Sequence, residues 1–319
     1  MLNVYARGAD GQVQKSDTPE ATIAADAAVW IDLFDPTEAE EALVERTFGI
    51  DAPTNAERAA LEDSARFYQE NGALVLTATI LSSRDAGRYD SDGVSFVLVK
   101  HCLITVRQID SRAFQIGAGR ASARIQNAES GSAVFMALIE GLVERVADIL
   151  QEVSGKAQSL SQSVFITEGE GPNMNAVLSE LGRLGGIVTL CHDSLASLER
   201  LAAYAQHVCE AHSLPGPRLG AIAHDADQLE RTADTLQNHL TFLLDAALGL
   251  VAAAQNASLQ RLSVAAMVFV PSTLIASIFG MNFDSMTIFH QPHAHWIAFG
   301  LMAVSTLAAL AYARHRRWI

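Results

Sequence analysis

The sequence predicts an α+β cytosolic domain, then long helices, then a two-helix transmembrane C-terminus. Three observations predict it. Short apolar runs with strand character crowd the first 128 residues and vanish afterwards. From Ser130 the apolar residues recur with the period of helices. Charge then collapses: residues 1–260 hold 18 Lys+Arg and 35 Asp+Glu, whereas residues 261–319 hold Arg261, Arg314, Arg316, Arg317 and one acid, Asp284. The net charge therefore changes from −17 to +3 along the chain, and the two parts follow different solvent rules.

Composition sets outer limits. With 50% apolar and 18% charged residues in 319, the chain can bury a sizeable core, which excludes disorder. A formal net charge of −14 argues against a nucleic-acid partner, because phosphates are bound by clustered Lys and Arg. Cys102, Cys191 and Cys209 have no CxxC spacing and read as buried thiols in a reducing compartment. No Gly-rich phosphate loop, nucleophile elbow, HExxH or paired metal-ligand motif occurs, so an enzyme is the weakest class.

Residues 1–128 form the α/β domain. Strands are expected at Val29–Leu33, Ala73–Leu81, Val94–Val99 and Cys102–Val106. Between the first two lies a helix with Thr37 as N-cap and Glu38, Glu40 and Glu41 in its first turn. Asp92-Gly93 and Lys100-His101 are expected as turns joining antiparallel strands. Residues 129–216 read as a helical hairpin. Its first helix, about 132–166, is broken at Gly169, Gly171 and Pro172; its second, about 174–212, ends at Leu214-Pro215-Gly216-Pro217.

Residues 217–261 form a stalk helix that starts near Pro217 and meets no breaker until Pro271. Continuous from Pro217 to Phe279, it would span about 95 Å. It carries a strict heptad, Ile222, Leu229, Leu236, Leu243 and Leu250, with Ala226, Ala233, Leu240, Ala247 and Ala254 on the same face. Such a repeat packs along its length against other helices. A hairpin within one subunit satisfies the period, but the length favours self-association.

Two spans follow. Residues 262–283 and 296–313 contain no charged side chain, and helices of these lengths cover about 27–33 Å, the thickness of a hydrocarbon core. The 284–295 loop holds no Lys or Arg, while Arg261 precedes the first span and the 314–319 tail is basic. By the positive-inside rule both ends face the cytoplasm and the loop lies outside. The opening MLNVYARGAD has no basic-then-apolar leader, in keeping with a cytosolic N-terminal domain in the inner membrane's company. Trp296 and Trp318 suit the interfaces.

A span used only as an anchor should be uniformly apolar, and the first is not. Asn256, Leu259, Leu262, Ala266, Val270, Thr273 and Ser277 recur at three- and four-residue steps on one face, small or hydroxylated in its outer half. In a symmetric oligomer that face could line an axial channel, with Leu259 and Leu262 as apolar rings that gate by dewetting. Small residues also serve helix packing, which is the competing explanation.

At the outer end of this span stands Gly280-Met281-Asn282. This tripeptide, the segment from Gln255-Asn256 through Phe269-Val270-Pro271-Ser272-Thr273, the basic-aromatic tail and the early Trp30-Ile31-Asp32-Leu33-Phe34-Asp35-Pro36-Thr37-Glu38 together resemble the CorA family of magnesium channels. The resemblance implies a funnel-shaped homopentamer in the membrane, moving divalent cations with no organic cofactor. It implies an outer filter of Gly280, Met281 and Asn282, the last presenting a ring of amide oxygens. Mg²⁺ sheds water reluctantly, and neutral oxygens can hold the hydrated ion weakly enough to release it. It further implies regulation by cytosolic Mg²⁺ bound between subunits. Asp245 matches one family carboxylate, and Asp225, Asp227, Asp85, Asp90 and Asp92 are candidates to complete that site.

The loop departs from the family pattern. After Met286 it has Thr287-Ile288 rather than Pro-Glu, then His290, His293 and His295. Imidazoles suit Zn²⁺, Co²⁺ or Ni²⁺ better than Mg²⁺, which keeps open the zinc-transporting branch of the superfamily. Met281 argues against it, since that branch commonly carries Ile there. A membrane-anchored coiled-coil scaffold or receptor explains the heptads and acidity but neither the tripeptide nor the Thr273/Ser277 face.

Overall fold

The structure is a computed structural model that describes residues 1–7, 12–15, 28–58, 60, 62–84, 88–110, 114, 120–165, 173–281 and 293–316. The chain divides into two compact units, Met1–Leu244 and Asp245–Ile319.

The first unit is built on a seven-stranded sheet. In chain order come β1 (Leu2–Arg7), β2 (Val13–Lys15), β3 (Ala28–Phe34), α1 (Glu38–Phe48), α2 (Asn55–Arg58), α3 (Asp63–Arg66), β4 (Phe67–Glu70), β5 (Ala73–Arg84), β6 (Arg88–Val99) and β7 (Cys102–Arg107). The strand order is β2-β1-β3-β7-β6-β5-β4. Only β3 and β7, at the middle of the sheet, run parallel; the other neighbours are antiparallel.

The period-2 alternation of β5 explains the layers. Leu74, Leu76, Ala78 and Ile80 enter a core shared with the long helices, while Ala73 and Val75 face a smaller core with Val44 and Phe48 of α1. Thr37 caps α1 as the sequence predicts. Its hydroxyl accepts from the Glu40 amide at 3.4 Å, and the Glu40 carboxylate accepts from the Thr37 amide at 2.8 Å, closing a capping box.

The four expected strands are present, and β1, β2 and β4 add to them. β4 has a legible signal: Asn71 (φ 51°) and Gly72 (φ 80°) form the two-residue turn of a β4–β5 hairpin. Lys100-His101 turns between β6 and β7 as expected. Asp92-Gly93 does not turn. Both residues lie inside β6, which pairs with β5 along its whole length, from Ala73 opposite Val99 to Arg84 opposite Arg88. Gly93 answers a packing demand instead, because a Cβ there would stand 2.4 Å from the Arg58 carbonyl oxygen.

The helices that follow are α4 (Arg120–Gln126), α5 (Gly131–Phe165), α6 (Met174–His207), α7 (Gly216–Phe279) and α8 (Ala294–His315). Gly131 starts α5 against the β6–β7 turn, its amide donating to the His101 carbonyl at 2.7 Å. α6 stops five residues before the expected His212, where the chain turns through Ser213 (φ 53°).

The heptad face of α7 finds its partner inside the chain. Ile222, Ala226, Ala233, Leu236, Leu240 and Leu243 are buried in the same core as residues of α5 and α6 such as Leu142, Leu184 and Leu195. Over this stretch the repeat serves packing within one subunit, the hairpin arrangement that the period also allowed. Cys102 and Cys191 are buried as expected, and burial pushes both thiols up to about 12, so they stay protonated at neutral pH. Cys209 is half-buried.

Candidate functional site: the α7–α8 hairpin and its filter motif

The second unit contains residues 245–279 of α7 together with α8. Both helices are long and apolar enough to cross a membrane, and the most apolar 18-residue window of α7 is 0% buried. A core helix of a soluble protein would be covered there; this one leaves its apolar side chains for another solvent.

The hairpin gives the two sides of α7 different roles. Val264, Met267, Val268, Pro271, Ser272, Ile275 and Phe279 are half-buried, at the spacing of one helical face. On α8 the covered positions are Ala298, Met302, Ser305, Thr306, Ala309 and Ala313. Ser272 Oγ and Thr306 Oγ1 join the helices at 3.2 Å. Asn256, Leu259, Leu262, Ala266, Val270, Thr273 and Ser277 are all exposed. At 100° per residue their mean direction points about 165° from the covered face. Helix packing within the chain therefore does not account for this stripe.

Around Pro271 the helix lacks the N–H that would pair with the Met267 carbonyl. Hydroxyls reinforce the backbone there: Ser272 donates to the Val268 carbonyl at 3.2 Å and Thr273 to that of Phe269 at 2.8 Å. At the outer end Gly280 N–H donates to Ala276 O at 2.9 Å and Met281 N–H to Ile278 O at 3.3 Å, so the first two residues of the Gly-Met-Asn motif close the helix. Met281 is exposed, and Asn282 lies outside the described residues.

The candidate metal-binding residues are dispersed. Among the described residues no three His, Cys, Asp or Glu side chains group as a metal site. Asp90 and Asp92 lie on β6, where Asp90 accepts from the Ser91 amide and Asp92 from the Gly93 amide. Asp225 and Asp245 are exposed on α7, and Asp227 pairs with Arg231 at 3.1 Å. Other α7 acids face α6: His192 Nε2 stands 3.3 Å from Glu230 and 3.4 Å from Asp234. Asp85 and His290 lie outside the described residues. His293 and His295 are exposed at the start of α8, with the His295 ring tilted against Trp296.

One polar centre was not anticipated from sequence. Asp32 and Arg107, on the paired central strands β3 and β7, form a buried bidentate pair: Arg107 Nε donates to Oδ1 at 2.9 Å and Nη2 to Oδ2 at 2.8 Å. Thr105 Oγ1 donates to Oδ1 at 2.9 Å, and Arg107 Nη1 reaches the Ile109 carbonyl at 2.6 Å. The guanidinium carbon lies 4.5 Å from the Phe34 ring centroid and 4.8 Å from that of Phe114. Burial, with Asp32 nearby, raises the pKa of Tyr5, which stacks on Trp30. The partners are 75 residues apart in sequence, which is why the early motif shows Asp32 but not its function.

An α+β domain with long helices, ending in a two-span hairpin that keeps a hydroxylated face free, defines a membrane protein of the two-span transport type. The family described as CorA-like Mg²⁺ transporter protein matches residues 25–315. A magnesium transport protein CorA of Wolinella succinogenes is 27% identical over 327 residues, covering 100% of both chains. That of Escherichia coli K12 is 30% identical over 302 residues, covering 92% of both. The complete structure of the CorA magnesium transporter from Methanocaldococcus jannaschii superposes with a TM-score of 0.73 at 16% identity, covering 100% of this chain and 99% of that one. The chain belongs to the CorA-like Mg²⁺ transporter family. It is a family of ion transporters, not enzymes.

Proposed function

We propose that the chain is one subunit of a Mg²⁺ channel in the cytoplasmic membrane, assembled from identical copies, five by family likeness. The observation that carries the pore assignment is the free, hydroxylated side of α7, turned away from α8 and leading to Gly280-Met281-Asn282. Residues 1–128, 129–216 and 217–261 act as cytosolic domain, helical hairpin and stalk. Residues 262–283 are the pore span, 284–295 the external loop, 296–313 the outer span and 314–319 the cytosolic tail. Arginines at the cytosolic ends of both spans support that orientation.

In this reading hydrated Mg²⁺ meets a ring of Asn282 amide oxygens, then passes Ser277 and Thr273. These neutral groups can hydrogen-bond the ion's water without the grip of a carboxylate ring. Leu262 and Leu259 form the dewetting gate, and Asn256 repeats the amide ring below it. Regulatory Mg²⁺ is bound between subunits, with Asp245 one ligand and Asp225, Asp227, Asp85, Asp90 or Asp92 supplying others. That the described carboxylates form no metal-sized group within one chain is in keeping with a site completed by a neighbour. Repulsion between facing carboxylates opens the assembly when cytosolic Mg²⁺ falls.

Single cysteines test the pore face. Cys209→Ser suffices as background, since Cys102 and Cys191 are buried thiols held protonated. With cysteine at Val270, Thr273 or Ser277, a small charged thiol reagent is expected to block Mg²⁺ influx. With cysteine at Val268 or Ile275 the influx should persist. The reverse pattern would place the conduction path elsewhere.

A further inference from the structure

The proline joint of α7 and its tie to α8 coincide within one residue. Pro271 removes a backbone hydrogen bond, so the helix is weakest between Met267 and Pro271. Ser272, next in line, is the residue that bonds to α8. A hydroxyl has one proton, so with Ser272 donating to the Val268 carbonyl, Thr306 donates to Ser272. Thr306 O–H, Ser272 O–H and Val268 C=O then form a chain that runs from α8 across the weakened turn. In hydrocarbon there is little water to replace a broken link.

We propose that Ser272 and Thr306 are a positioning pair that holds the pore helix to α8 at its proline joint and so sets the maximal rate of ion passage. The proposal rests on the assignment of α7 as the pore helix. Both hydroxyls lie on the covered side of the hairpin, opposite the free face, so neither meets the ion. Their effect is on the angle between the two halves of α7, the one carrying Leu259 and Leu262 and the other carrying Thr273 and Ser277. With the tie broken the outer half rotates about the joint, and fewer channels at any moment present the polar face to the axis. The pair therefore acts on turnover, while the concentration of Mg²⁺ that half-saturates transport is unchanged.

The test is initial Mg²⁺ influx into liposomes containing the full-length protein, measured across a range of external Mg²⁺. Thr306→Val keeps the side-chain shape and removes the hydroxyl. It should lower the maximal rate about threefold, the population shift that one interhelical hydrogen bond of average strength supports, with unchanged half-saturation. Thr306→Ser restores the hydroxyl and should restore the rate. Ser272→Ala, a smaller change, should reproduce the defect, and the double variant should be no slower than the slower single one. Elution volume and melting temperature are expected to match the parent protein in all four. A Thr306→Val rate equal to or above that of the parent overturns the proposal, as does Thr306→Ser behaving like Thr306→Val. If the parent protein carries no Mg²⁺, the transport reading itself fails; a transporting parent indifferent to Thr306 refutes only the positioning pair.

Discussion

Replacing Asn282 with Ala should reduce Mg²⁺ influx by roughly tenfold or more while leaving assembly intact, because it deletes every amide oxygen of the proposed outer ring at once. In a symmetric assembly one substitution removes one ligand per subunit, so the effect is multiplied by the copy number. Mg²⁺ reaches the mouth with its water attached, and the filter must offer hydrogen-bond acceptors at a set radius before the ion can enter. Alanine leaves a wider, drier ring that offers no such acceptor. The expected readout is lost influx with unchanged elution of the detergent-solubilised oligomer. Preserved influx would show that Gly280 and Met281 backbone oxygens suffice, or that ions pass elsewhere.

Arg107→Ala should destabilise the N-terminal unit by about 3–5 kcal/mol, the cost of stranding a buried carboxylate without its partner. Asp32 is 1% exposed and, among the described residues, forms its ion pair with Arg107, at 6% side-chain exposure. The loss also removes the bond to the Ile109 carbonyl and the contacts with Phe34 and Phe114. The melting temperature should fall by roughly 10 °C, judged from the usual entropy of unfolding for a domain of this size. Influx per correctly folded channel should be unchanged, since none of these groups belongs to the proposed pore. An unaltered melting temperature would mean that the pair is solvated in the working protein.

These two sites were legible in the sequence to different degrees. Asn282 lies at the outer end of an uncharged span, and the stripe from Asn256 to Ser277 announces itself by its helical period. The structure adds what covers the other side of the same helix. Asp32 sits in a readable motif, but Arg107 is 75 residues away, and only parallel pairing of β3 with β7 brings them together. Periodicity behaved similarly on the upper part of α7: the heptad shows that a face is packed and cannot say against what. Leu236 and Leu243 turn out to be buried in the core that residues of α5 and α6 also fill.

Short elements were harder. β2 has three residues and β4 four, too few for alternation to rise above chance, and the Asn71-Gly72 turn that joins β4 to β5 went unread. Asp92-Gly93 looked like a turn because the pair favours one, yet strand pairing along all of β6 overrides that local preference. The carboxylates carry no sequence signal of their own. On a helix as acidic as α7, a ligand and a solvated side chain look alike until an interface brings a partner.

Uptake of Mg²⁺ into liposomes by the purified full-length protein, with Zn²⁺ in a parallel run, tests the central claim most directly. The account predicts saturable Mg²⁺ influx well above that of empty liposomes, unaffected by replacing His290, His293 and His295 with Ala. Influx of Zn²⁺ alone, lost in that triple variant, would contradict it in favour of zinc transport through a histidine-lined mouth. Impermeability to both ions would contradict it altogether and leave the two spans as the anchor of a scaffold.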